Sequence, residues 1–389
     1  MRILLVTETY PPEINGVAMT TYRMVQGLRA KGHWVGLVRP RQNIETNEAN
    51  TWTVPGLPIP QYPGLRLGLP AWWRLRKIMQ QLSLDLVHVV TEGPLGWAAV
   101  YAARSCQLPV TSGYHTNFAQ YSRYYGLTAL MPWVSRWLDA LHRRCRVTFV
   151  PTLDLAAQLS ARGIPGVRVV GRGVDTQLFT AAKRNALLRH AWLGRGGEPA
   201  QDTLDVIKIN ASSNDGLVCL YVGRLAPEKN LGVVERAFTA IAARHPHARM
   251  VWVGDGPSLS ALRQAHPDHI FAGSRRGEDL AAHYASADIF LFASLSETWG
   301  NVLTEAMASG LSVVSYRRAA AEIVLQQAEN GFAIEVGDES AFTAAALLLA
   351  DQAPLRFRIG RAASLSMQAY GWEPIIARFE QGFKEATAC

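Results

Sequence analysis

The chain has 389 residues, of which 49% are apolar and 18% charged, and a formal net charge of +8. Its length asks for two domains of about one to two hundred residues each; its composition excludes a disordered chain, and apolar runs such as FTAAALLLA reach about half of the ~20 residues a membrane-spanning helix needs. The excess of positive charge leaves three partners open: nucleic acid, an anionic membrane surface, or a phosphate-bearing substrate.

In chain order, the start MRILLVTETYPP holds a five-residue apolar run that reads as a buried strand and is too short for a signal segment. The first forty residues follow as strand (RILLV), loop (TETYPPEING), helix (VAMTTYRMVQGLRAKG) and strand (HWVGLVRP), a βαβ unit. Gly16 stands just before that helix. Read alone, PPEINGV is either an ordinary turn or a place where a helix N-terminus receives a phosphate, and it lacks a dinucleotide fingerprint. Next, PAWWRLRKIMQQL sets Trp72, Leu75, Met79 and Leu82 at helical spacing beside Arg74, Arg76 and Lys77. Such a helix either packs on the sheet or lies on an anionic membrane. Strands at LDLVHVV, LPVTSGYH and VTFVPT come next, with His115 after the second of them, a histidine that is either structural or functional. LMPWVSRWLDALHRRCR repeats the basic, tryptophan-rich theme, and is expected to pack mainly in the core.

Residues 195–216, RGGEPAQDTLDVIKINASSNDG, lack apolar periodicity and read as a linker. A second βαβ unit then begins: GLVCLYVGR, LAPEKN, LGVVERAFTAIAARHP, ARMVWVGDGP. Further strands are expected at HIFAG, ADIFLFAS and LSVVSY, so the fold class is α/β with two doubly wound parallel sheets. Ligands of such sheets bind beyond the carboxyl ends of strands, and two domains facing each other would form a cleft from those loops. In the loop VGRLAPEKN, Arg224 and Lys229 are either solvated charges or a fork-shaped and a point-like cation for a diphosphate. In SETWGNVLTEAMASG, Glu297 falls in a loop and Glu305 in the helix opened by Gly300, Asn301 and Val302. Carboxylates suit vicinal sugar hydroxyls, and a glycine-opened helix suits phosphate. Sugar plus phosphate points to a nucleotide sugar. The four cysteines, Cys106, Cys145, Cys219 and Cys389, lie far apart and fit a reducing cytosol.

Together ETWGNVLTE, EAMASG, GRLAPEKN, YHTNF and GRGVD resemble glycosyltransferase family 4, retaining enzymes of the GT-B architecture with two Rossmann-like domains, and the likeness spans nearly the whole chain. Within the family, YHTNFAQYSRYYGL, VPTLDLAAQL, GRGVDTQLF and LAPEKNL look most similar to GDP-mannose-dependent α-mannosyltransferases and to related glycolipid and sulfoquinovosyl transferases. The resemblance implies that Glu297 contacts donor-sugar hydroxyls, Glu305 the ribose, and Arg224 and Lys229 the diphosphate. Gly16 lets backbone approach the phosphates, and His115 lies beside the donor sugar. Arg275, in GSRRG, together with Gly300, Asn301 and Val302 falls near the base or phosphates, and Asp175 is structural. It implies an N-terminal acceptor-side domain over 1–180, with the helix 371–389 packing back on it, a linker region over 181–216, and a nucleotide-sugar domain over 217–370. Two departures stand out: Trp299 replaces a commoner phenylalanine, and YRRAAAEIV replaces a frequent double glycine before a glutamate, Glu322.

The chain contains no D-x-D pair, so no metal or other cofactor is expected, and cations with helix N-termini must carry the diphosphate charge. The expected activity moves a hexose, best mannose from GDP-mannose, to a lipid-linked or glycan acceptor. The expected place is the cytoplasm, with peripheral contact through the Trp72 helix at the inner face of the membrane. A nucleotide-sugar epimerase and an inactive sugar-nucleotide or membrane-binding module are the alternatives. Nucleic acid is not an expected partner, because the basic residues form no nucleic-acid motif.

Overall fold

The computed structural model describes residues 1–13, 16–42, 48–59, 62–114, 131–194 and 216–388. It divides into two units, Met1–Gly173 with Trp372–Cys389, and Val174–Gly371.

The first unit is built on β1 (Arg2–Val6), α1 (Gly16–Ala30), β2 (Trp34–Pro40), β3 (Thr51–Val54), the hairpin β4 (Gly56–Ile59) and β5 (Tyr62–Gly68), and α2 (Trp72–Gln81). It continues through β6 (Leu86–Val89), α3 (Pro94–Ser105), β7 (Val110–Gly113), α4 (Met131–His142), β8 (Val147–Val150), α5 (Leu153–Ala161) and β9 (Val167–Val169). Seven strands pair in the order β3-β2-β1-β6-β7-β8-β9, all in parallel. Successive residues of a strand face opposite sides, and β1 shows the result. Leu4 and Val6 pack with Leu75, Met79 and Trp97 on one face, while Ile3 and Leu5 pack with Met24, Phe379 and Phe383 on the other.

The second unit contains α6 (Ala186–Trp192), β10 (Val218–Val222), α7 (Leu231–Arg244), β11 (Arg249–Val253), α8 (Leu259–Ala265), β12 (Ile270–Gly273), α9 (Gly277–Ser286) and β13 (Ile289–Phe292). It closes with α10 (Asn301–Ala308), β14 (Ser312–Tyr316), α11 (Ala320–Val324), β15 (Phe332–Ile334), α12 (Glu339–Asp351) and α13 (Ala353–Ser366). Its six strands run β12-β11-β10-β13-β14-β15. The glycines of VGR and VGDG follow from a close approach here. Gly254 has φ +141°, and a Cβ added to it would fall 1.9 Å from the Gly223 carbonyl oxygen.

The domain limits differ from the expected ones. The chain changes unit at Gly173/Val174 and again at Gly371/Trp372, not at 180 and 370. Residues 181–194, expected in the linker, fold onto the second unit: Arg189 pairs with Asp288 at 2.9 Å and donates to the Ser286 carbonyl, and Trp192 packs beside His283. The rest of the expected linker, 195–215, lies outside the described residues. The last helix, α14 (Trp372–Ala388), belongs to the first unit, where Phe379 and Phe383 are buried against Phe149 and His88.

A second difference concerns the tryptophan-rich helices. α2 buries Leu75, Ile78 and Met79 and leaves Trp73 76% exposed. α4, expected to be mainly core, exposes Trp133 (73%) and Trp137 (49%). Its inward side is made by Leu138, Leu141 and the polar pair Asp139 and His142, so the tryptophans are left on the outer side. No helix among the described residues is long and apolar enough to cross a membrane.

Candidate active site

In an open parallel sheet the loops that diverge at the reversal of strand order leave room for a ligand. In the second sheet that reversal lies between β10 and β13, which pair through Cys219 with Ile289 and Leu220 with Phe290. The loop after β10 carries Arg224 and Lys229, and the loop after β13 carries Glu297.

Topology therefore brings together two residues far apart in sequence. Lys229 Nζ donates to Glu297 Oε1 at 2.6 Å, with both side chains largely buried. Ser294 Oγ donates to the same carboxylate oxygen at 2.9 Å. The Glu228 carbonyl accepts from the Leu295 N–H and the Ser296 hydroxyl, tying the two loops at backbone level. Arg224 differs. Its guanidinium is 49% exposed and lies 3.9 Å from Glu228, while its carbonyl accepts from the buried Tyr221 hydroxyl.

Gly300 caps α10 at φ +89°, ψ +64°, a left-handed conformation that costs any residue with a Cβ. It turns the chain so that Asn301 and Val302 open the helix beside Glu297. Asn301 Oδ1 is buried without a hydrogen-bond partner among the described residues. About one turn on, Glu305 is partly buried and accepts from the Tyr284 hydroxyl at 3.0 Å. Burial pushes its carboxyl up to about 7, and the Tyr284 hydrogen bond offsets part of that rise. Trp299 is buried, and its carbonyl accepts from the Ala320 N–H. The missing double glycine has a physical trace as well. Ala319 sits at φ +53°, ψ −122°, a strained conformation for a residue with a side chain, costing on the order of 1–3 kcal/mol.

Arg275 is fixed by the Ala272 carbonyl and by Asp279 at the start of α9. Gly16 is the first residue of α1, where its carbonyl accepts from Thr20. Asp175 accepts from the Gln177 and Leu178 N–H groups, which is a turn-forming role. His115 lies outside the described residues.

The sequence reading missed Ser294 and Tyr284, since a serine and a tyrosine give no spacing signal. It also missed a polar cluster at the equivalent reversal of the first sheet, between β1 and β6. There Glu8 accepts from the Leu95 N–H, and burial pushes its carboxyl up to about 7, against that hydrogen bond and with help from Glu92. Buried Glu92 lies 3.6 Å from buried His142, whose Nδ1 meets Ser112 Oγ at 2.8 Å.

Sequence comparison decides what kind of protein carries these loops. Residues 14–178 match the model of Glycosyltransferase Family 4 and residues 216–352 that of Glycosyl transferases group 1. A GDP-mannose-dependent alpha-mannosyltransferase of Mycolicibacterium smegmatis is 31% identical, covering 100% of this chain and 98% of that one. The chain belongs to glycosyltransferase family 4. It is a hexosyltransferase with two Rossmann-like domains of the GT-B type. An alpha-monoglucosyldiacylglycerol synthase of Acholeplasma laidlawii is 26% identical over 87% of this chain and 86% of that protein. In fold, the family 4 chain resembles the sucrose-phosphate synthase of Thermosynechococcus elongatus, with a TM-score of 0.71 at 17% identity, covering 100% of this chain and 99% of that one.

Proposed function

We propose that this glycosyltransferase transfers mannose from GDP-mannose, with retention of anomeric configuration, to a lipid-linked acceptor at an anionic membrane surface. The observation that carries the reading is the Lys229–Glu297 pair at the β10/β13 reversal, with the Gly300-capped helix beside it. One cation and one helix N-terminus suit a diphosphate, and one carboxylate suits the adjoining sugar.

In this reading Lys229 and Arg224 neutralise the diphosphate, Gly16 lets backbone approach it, and Gly300, Asn301, Val302 and Arg275 line the phosphates and base. Glu305 grips the ribose hydroxyls, and Glu297 and His115 contact the donor sugar. The bond from the anomeric carbon to the β-phosphate oxygen breaks, the acceptor oxygen bonds to that carbon on the same face, and the acceptor proton passes to the departing phosphate. Glu297 stabilises positive charge at the sugar as the bond breaks. The diphosphate charge is carried without a metal, in keeping with the lack of a D-x-D pair.

Mannose rests on the M. smegmatis relative and the lipid acceptor on the A. laidlawii one. Membrane contact is supported by exposed Trp73 and Trp133 and by Arg74, Arg76 and Lys77 beside the first of them, and the cytoplasmic face is part of the same proposal. Supplying GDP-mannose, GDP-glucose, UDP-glucose and UDP-galactose in turn with a membrane lipid extract tests this. The expected result is labelled lipid from GDP-mannose alone. Transfer only from a UDP-sugar would overturn the donor, and product only in the aqueous phase would overturn the acceptor.

A further inference from the structure

The first unit carries a groove of about 580 Å³ between α2, α3 and α4, walled by Trp72, Trp97, Tyr101 and Trp137 with Ala98 and Ser105. Its size is that of a small-molecule site, and its walls are almost wholly apolar. Unfilled, they leave aromatic surface in contact with water, which favours an apolar occupant.

Charge selects the occupant. Residues 72–81, 94–105 and 131–144 hold seven arginines and lysines and one acid, Asp139. That acid is buried and paired with Arg162 at 3.1 Å, so it compensates none of them at the surface. Arg144 lies over the rings of Trp97 and Tyr101, 5.3 and 5.9 Å from their centroids, and Arg76 over Trp72 at 5.7 Å. Two of the seven, Arg76 and Arg144, thus stand on the groove's own walls, Arg144 also donating to the Ala140 carbonyl. A neutral lipid or an apolar peptide would leave them unmatched, whereas a phosphate head attached to a hydrocarbon chain satisfies walls and rim together.

The groove is also continuous with the surface read as membrane-facing. Trp73, 76% exposed, has its ring 4.1 Å from that of Trp72. Trp133 is one helical turn before Trp137, on the same side of α4. On the far side, the Trp137 indole N–H donates to the Glu92 carbonyl, which ties the groove wall to the loop after β6, where the polar cluster at the strand reversal begins. We propose that this groove seats one hydrocarbon chain of a phosphate-headed lipid, holding the chain while its head reaches the loops at the end of the first sheet. The inference rests on the lipid-acceptor reading and names the part of the lipid that the first unit binds.

The test uses the full chain and soluble single-chain alkyl phosphates below their micelle concentrations, followed by titration calorimetry without any donor sugar. Octyl, decyl and dodecyl phosphate should bind saturably, one per chain, with affinity rising about fourfold per added methylene while the groove fills. Inorganic phosphate should give no saturable heat, and decanol should bind at least tenfold more weakly than decyl phosphate. Ser105→Trp, at the exposed end of α3, should weaken dodecyl phosphate at least tenfold. Arg144→Gln should bring decyl phosphate toward decanol, with both variants checked for native circular dichroism. Affinity independent of chain length, or unaltered in folded Ser105→Trp, would overturn the chain seat. Because no donor is present, that failure leaves sugar transfer standing, and failure of the donor screen leaves chain binding standing.

Discussion

Lys229 and Glu297 neutralise each other at 2.6 Å in the structure, so removing one changes what the other offers. Without the carboxylate, the whole Lys229 charge becomes available to a diphosphate. Glu297→Gln should therefore lower kcat at least tenfold while GDP affinity stays equal or tightens, because in the proposed mechanism Glu297 acts on the transition state. Weaker GDP binding in a folded Glu297→Gln would count against this. Lys229→Ala should cost about 2–4 kcal/mol of GDP binding as a desolvated charge-assisted contact, and the half-exposed Arg224 only about 1 kcal/mol; calorimetry on the two variants separates them. Glu305 sets a pH dependence. Its folded value, raised to about 7 from 4.5, stabilises the fold fully below about pH 4.5, and that contribution is lost as pH rises through about 7. The ionised form is the better acceptor for ribose hydroxyls, so donor KM should fall as pH rises from 6 to about 8. In Glu305→Gln both trends should vanish from the second unit, read by hydrogen exchange in β13 and β14 and by donor KM. Glu8, raised in the same direction, keeps its own share in the first unit. A donor KM in Glu305→Gln that still follows pH would assign the titration elsewhere.

Among the elements, α14 shows how a segment at the end of the chain can be central to the fold. Phe383 is fully buried, and Gly382 lies so close to Phe149 that an added Cβ would come within 2.5 Å of its ring. Phe383→Ala should destabilise the first unit by about 3–5 kcal/mol, and Gly382→Leu should be at least as harmful through overpacking. Hydrogen exchange in β1 and β6 measures it: unaltered protection there would show that α14 is dispensable. The helices α2 and α4 teach the opposite lesson. Their apolar periodicity was legible in the sequence, but periodicity alone does not say whether a tryptophan faces the sheet or the solvent. In α4 the inward positions are taken by Leu138, Leu141 and the buried Asp139 and His142, a polar core that no hydrophobic pattern announces. Replacing Trp73 and Trp133 together by serine should weaken sedimentation with anionic vesicles several-fold while leaving the thermal midpoint unaltered, since neither side chain is in the core. Equal vesicle binding would assign the contact to another surface.

For the molecule as a whole, a metal-free transfer predicts full activity in excess chelator, with GDP-mannose turnover measured before and after addition. Activity lost and then restored by Mg²⁺ or Mn²⁺ would reverse that expectation. By itself the sequence determined the alternation of strands and helices and the repetition of a βαβ start in each half. Nine central strands were legible, most of them because a strand covered on both faces is a continuous apolar run, although β7 carries the buried polar residues Thr111 and Ser112. Strands β3 and β9, at the edges of the first sheet, were not, since their half-exposed residues carry no such run; nor was β15, only three residues long. The ordered motifs also sufficed for the family. Only the tertiary structure decided which charges meet. Lys229 and Glu297 are 68 residues apart, and they touch because β13 pairs with β10 although two strands intervene in sequence. The same holds for Tyr284 with Glu305 and for the open aromatic groove. Local periodicity reports how a segment winds and which of its sides is apolar, whereas ion pairs, raised carboxyl values and exposed tryptophans depend on the neighbour that packing brings, or fails to bring, against that side.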